Sequence, residues 1–159
     1  MPLNPLEREA NYKDSLKKFF VDNLYRTENI AVTFDKLINF PEVFQESFKV
    51  LDDRIDRWVS IISGQIYEKT PIISAYPEFY VCSRRDMEGY KLAQVRDTLM
   101  GLIKETMAIP FYRSYPAPIQ WELLTQMQVY HLGESQQLTA KDETKFKRIS
   151  LSLKWAATI

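Results

Sequence analysis

At 159 residues, 45% apolar and 13% aromatic, the chain has the material for one domain over 1–159, burying about 68–70% of the surface its unfolded form exposes. Its 21 basic and 21 acidic residues balance with no block of like charge, which argues against a dedicated nucleic-acid or membrane-surface protein, since either gathers basic residues on one face. The one cysteine, Cys82, excludes an internal disulfide; the start, Met1-Pro2-Leu3-Asn4-Pro5, lacks signal-peptide character, and no apolar run nears the roughly 20 residues of a membrane helix, so a protein soluble where it is made, with no membrane partner, is expected.

Asn4, Pro5 and Glu7 stand at the offsets of a cap, a first helical position and a residue reaching back to the cap, which predicts a helix over 5–24. Leu6, Ala10, Leu16, Phe20, Val21 and Leu24 form its apolar side; Lys13 and Lys17 interrupt it, so this helix is expected to pack on an edge. Ile30, Val32 and Phe34 alternate as a short strand. Pro41 opens a predicted helix to 53, with Val43, Phe44, Phe48 and Leu51 inward. Arg57–Ile62 reads as a strand, Ser63-Gly64 as a turn or bulge, and 65–68 as a second strand or a continuation. Pro71 and Pro77 cannot donate to a ladder, which puts the next segment at an edge or delays its start.

Glu78–Ser83 alternates polar and apolar residues and is rich in aromatic and β-branched types, as a strand requires. Asp86 is then placed as a helix N-cap, with Leu92, Val95, Leu99, Leu102 and Ile103 forming a stripe that predicts a long helix reaching about Met107 and covering a sheet. Arg96 falls inside that stripe, where an unpaired charge is expensive; it needs an acidic partner, in this chain before a neighbouring one. Phe111-Tyr112-Arg113 suggests a short strand before the Pro116-Ala117-Pro118 corner. The alternation of Leu123, Met127 and Val129, and of Ile149, Leu151, Leu153 and Trp155, predicts two paired strands joined by a polar tip over 133–144. The expected class is α+β: a mostly antiparallel sheet packed against a long central helix, with an N-terminal helix and a C-terminal β-hairpin.

No catalytic, cofactor-binding or metal-binding residue is assigned, and no cofactor is expected. His131 has no nucleophile or ligand partner at a diagnostic spacing, and the chain lacks a phosphate-cradling glycine loop. Glu78, Asp86 and Glu88 could hold a divalent ion in a nuclease only if they converged; a strand face and a helix cap account for them more simply. Arg84 and Arg85 could meet phosphate, though such pairs are more often solvated or ion-paired. A nucleic-acid accessory protein would bind with steep salt dependence, against which the zero net charge weighs.

The stretch Cys82-Ser83-Arg84-Arg85-Asp86-Met87-Glu88-Gly89-Tyr90-Lys91-Leu92-Ala93, the helix Val95-Arg96-Asp97-Thr98-Leu99-Met100, and the closing Asp142-Glu143-Thr144-Lys145-Phe146-Lys147-Arg148-Ile149-Ser150-Leu151-Ser152-Leu153-Lys154-Trp155-Ala156 resemble the tail terminator proteins of long-tailed bacteriophages. Arg57-Trp58-Val59 fits the same pattern, and the resemblance covers most of the chain from about residue 30. It implies a non-enzymatic virion protein, made in the host cytoplasm and placed in the tail at its junction with the neck. Six copies would ring the last tail-tube subunits, stop polymerisation and offer a surface to a neck or head-completion protein, with genome DNA passing through unread. A head-completion or tail-completion protein is the alternative from the same setting, and a small metal-dependent nuclease the one from another class. The resemblance supplies no residue-level binding motif. From charge and position alone, Arg84, Arg85, Arg96, Glu134, Lys141, Asp142 and Lys145 are the candidates for a subunit or tube interface, with the leading helix and the 133–144 tip as the elements that reach out.

Overall fold

The structure, a computed structural model, describes residues 8–25, 31–34, 56–69, 71–104, 107–116, 119–139 and 144–156. The expected helix over 41–53 lies outside these residues, as do Lys141 and Asp142.

One long, bent hairpin supplies the middle of the sheet. Its first arm is β2 (Arg57–Ile62) and β3 (Ile66–Lys69); its second is β4 (Ile72–Ala75) and β5 (Glu78–Ser83). The interruptions fall opposite each other, at Ser63-Gly64-Gln65 and Tyr76-Pro77, so both arms bend together. β9 (Lys145–Ala156) lies along the second arm, with Lys145 to Ser150 paired to β5 and Leu153 to Ala156 paired to β4. Across the break the Leu151 N–H donates to the Pro77 carbonyl at 3.0 Å, so a proline stands between two interior strands without costing a ladder bond. The proline segment is therefore not at an edge.

The other side of β9 carries β7 (Ile119–Glu134) and the two-residue β8 (Leu138–Thr139), and β6 (Ala108–Pro116) pairs beyond β7. Every pairing is antiparallel except that of β1 (Ala31–Phe34) with β2, which is parallel. The sheet curls into a half-barrel.

Among the described residues two 13-residue helices accompany it, and neither is a long central helix. This overturns the expected class of a sheet packed on such a helix: the chain is mostly strand, curled on itself. α1 (Arg8–Phe20), continued by one π-helical turn to Tyr25, occupies the gap between the sheet's ends. On one flank the Ser15 hydroxyl accepts the Tyr112 N–H of β6 at 2.7 Å. On the other the Tyr12 hydroxyl donates to the Ser63 carbonyl at 2.6 Å, Glu9 accepts the Ile66 N–H at 3.4 Å, and Arg8 pairs with Glu68. Its inward residues Tyr12, Leu16, Phe20 and Leu24 are fully buried with Val59, Phe79, Ile149 and Leu153. The Tyr12 ring stacks on Trp155 at 5.7 Å, and Phe20 meets Phe79 at 5.0 Å. The leading helix packs on an edge as anticipated, but on two edges at once and in the core as well.

α2 (Tyr90–Leu102) is shorter than the expected helix at both ends. It starts late because Met87 to Gly89 first make a turn, with Gly89 at φ 75° as the N-cap. It stops early because the chain by Met107 is already in the ladder, where the Met107 carbonyl accepts the Val129 N–H at 2.8 Å. Leu92, Val95 and Leu99 join the same core as α1, against the β2, β5 and β9 end of the sheet. Gly89→Ala is expected to destabilise by about 1–2 kcal/mol, because a Cβ there meets the left-handed penalty and stands 2.9 Å from the Gln137 amide oxygen. Urea unfolding of the two proteins measures it.

Candidate interface charges around helix α2

The carboxylate of Asp86 is 8% exposed and organises the turn between β5 and α2. One oxygen accepts both the Ser83 hydroxyl and the Leu92 N–H at 2.9 Å. Burial pushes this carboxyl up, but donation from the N–H groups of Leu92, Lys91 and Tyr90 and from Ser83 outweighs it, and the net shift is downward. Asp86 therefore caps the helix from three residues before its N-cap, satisfying donors the first turn leaves over.

Arg96 lies on α2 where the stripe meets the sheet, and its partner is in the same chain. Nε and Nη2 donate to both oxygens of Glu134, at 3.1 and 2.8 Å, and Nη1 to Asp97 at 2.9 Å. Glu134 also accepts from Lys147 Nζ at 2.8 Å. The register explains the meeting: a bulge between Val129 and His131 shifts β7 by one residue, so Leu132 and Glu134 follow Val129 on the core side while His131 is exposed. Lys147 is on that side too, two residues before Ile149. The guanidinium of Arg96 first, then Lys147, holds the Glu134 carboxyl down to about 2 against burial, and Glu134 with Asp97 raises Arg96.

A depressed carboxyl contributes stability that is complete above its unfolded value near 4.5 and is lost as pH falls toward about 2. The Glu134 side chain is 22% exposed, so water screens the pair, and Glu134→Gln is expected to cost about 1–2 kcal/mol at neutral pH. The deficit relative to the unaltered chain should shrink as pH falls through that window, a trend that urea midpoints at several pH values report.

Arg84 lies over the Trp58 ring at 5.8 Å, and its N–H donates to the Asp56 carbonyl at 2.8 Å. Arg85 is the one non-glycine residue with positive φ among the described residues, at 55°, and its carbonyl accepts from Lys91. Lys91 and Arg57 both pair with Asp56; burial pushes that carboxyl up, and the two cations bring it below its ordinary value. Lys145 begins β9 between Ser83 and Thr139. The structure thus joins Arg96 with Glu134, gathers Arg84, Arg85 and Lys145 around the same end of the sheet, and folds part of the polar tip back as β8.

Lys147, Asp56 and Lys91 were not among the sequence candidates. Extending the β9 alternation back by two residues from Ile149 reaches Lys147, which was the available signal; Asp56 and Lys91, 35 residues apart, left none. Glu78 and Asp86 stand at opposite ends of β5, about 17 Å of strand between them, and Glu88 is exposed in the turn. No three His, Cys, Asp or Glu residues are grouped to hold a metal among the described residues, nor is any helix there long and apolar enough to cross a membrane.

No protein-family model matches the sequence, and no curated protein does. A solved protein chain shares the architecture with a TM-score of 0.54 at 14% identity, over 89% of this chain and 93% of the other. That likeness shows a common fold and nothing of activity.

Proposed function

We propose that this chain is a structural virion protein, without enzymatic activity, that caps the tail tube of a long-tailed bacteriophage. Six copies form a ring on the last tube subunits, stop polymerisation, and give the tail its surface for a neck or head-completion protein. The reading rests on the sequence resemblance, and one structural observation supports it. The described parts of the four resembling stretches lie together in the fold: Trp58 pairs with Cys82 and Cys82 with Phe146, while α2 packs over β5 and β2.

The test is the solution mass of the purified protein, alone and mixed with polymerising tail-tube protein, with negative-stain images of both. Sixfold rings, or tubes that stop growing under a cap, are expected. Tubes that elongate unchecked beside a monomer would sink the reading.

A further inference from the structure

A sheet that does not close into a barrel keeps edges, and each edge presents a row of backbone N–H and C=O groups that another extended strand matches. Apart from the two-residue β8, four such edges run along the described residues, and α1 guards two of them. On β6, Tyr112 turns its N–H outward to Ser15, and the outward position two residues earlier is Pro110, which has no N–H to give. On β3, Glu9 takes the Ile66 N–H and Arg8 reaches Glu68.

The other two edges are open among the described residues. β1 pairs with β2 on one side alone, and Ala31-Val32-Thr33-Phe34 holds neither a charge nor a proline to deter pairing on the other. β7 pairs with β9 only from Gln128 to Glu134, and β9 ends at Ala156, level with Gln126. From there to Ile119 the β6 and β7 strands run on as a ribbon of two, about 20 Å past the end of β9. The side of β7 turned away from β6 is unpaired over residues 119–125. The one charge in that stretch, Glu122, already pairs with Arg113, and Leu123 is 53% exposed. A ribbon of two strands is marginal in water, so this arm gains from a third.

The two open edges are unlike and lie at opposite corners of the sheet. β1 runs level with Phe146 to Ile149 in the first half of β9, across β5 and β2, whereas the arm leaves beyond the last residue of β9 on its other side. Three strands and much of the length of β9 separate them, so one copy does not join its own arm to its own β1. Two copies can.

We infer that the open β7 edge of the 119–125 arm adds as a strand to the β1 edge of a second copy, so that the sheet continues from subunit to subunit through backbone hydrogen bonds. A contact between unlike edges is heterologous; repeated head to tail it gives a ring or a filament and not an isologous dimer. The inference rests on the ring reading for the number at which the series closes, and it names the strands that meet.

Backbone amide hydrogen exchange, read by mass spectrometry, tests it on the full chain when dilute, concentrated, and mixed with polymerising tail-tube protein. On assembly, exchange at 31–34 and at 119–125 should slow by about tenfold or more, while the guarded edge of β3 should not change. A second measurement uses a shortened arm, with residues 114–121 replaced by Asn-Gly so that Arg113 and Glu122 flank a tight turn. Phe111 and Met127 of the core stay in place, so far-ultraviolet dichroism should show a folded protein. It should not assemble alone, yet it should still accept a native arm at β1 and end the series at small species. Assembly of the native chain in which either segment exchanges as fast as in the dilute protein would overturn the contact and leave the ring reading standing. Rings of native size from the shortened variant would do the same. If the native chain assembles under none of these conditions, the contact and the ring reading fall together.

Discussion

Phe20→Ala is expected to remove about 3–5 kcal/mol of stability, enough to unfold much of the population of a domain whose total is about 5–15 kcal/mol. Phe20 is fully buried, with the rings of Phe19 and Phe79 each 5.0 Å from its own, so truncation leaves a cavity walled by both α1 and β5. A helix that merely lay on an edge would fray by itself when weakened. α1 instead closes the gap between β6 and β3 and contributes four side chains to the one core, so helix and sheet signals should be lost together in a single urea transition at a lower midpoint. Separate transitions for far-ultraviolet dichroism and tryptophan fluorescence would contradict that role.

Asp86→Ala should cost about 2–3 kcal/mol, combining a lost helix cap with a Ser83 hydroxyl and first-turn N–H groups left buried without their acceptor. Asp86→Asn keeps an acceptor oxygen and should recover part of this. Because the native carboxyl is held below its ordinary value, its contribution is full above the unfolded value near 3.8 and fades as pH falls below it. The difference between the native chain and the Asn variant should therefore narrow in acid. Equal stability of the Asp, Asn and Ala forms at neutral pH would show that the turn holds without the cap.

The strands with one wet face were legible because their period is local: Ile149, Leu151, Leu153 and Trp155 are buried in β9 at every second residue, and the pairing of β7 with β9 follows. β4 was not, because four residues between two prolines carry no pattern long enough to recognise, and β6 was seen only at its centre. The largest error concerned which helix the sheet needs. The apolar stripe of α2 is interrupted by Arg96 and that of α1 by Lys13 and Lys17, so neither pattern marks the more central helix; yet α1 is central, because its polar residues are spent on strand edges that no local pattern reveals. Among the candidate charges, the need of Arg96 for a partner was legible from its place in the stripe. That Glu134 meets it was hidden by the bulge at Val129 to His131, which reverses the face on which Glu134 lies.

The position of β9 sets the order of events during synthesis. It joins β4 and β5 on one side to β7 and β8 on the other, and it is made after all of them. While the chain is still emerging from the ribosome, the second arm of the bent hairpin and the inner side of β7 each wait with an unpaired row of N–H and C=O groups. Folding of the whole sheet is deferred until the last strand is free, and contacts so distant in sequence form slowly, on the scale of milliseconds to seconds. A truncation before residue 145 should leave an aggregating ribbon rather than a smaller domain.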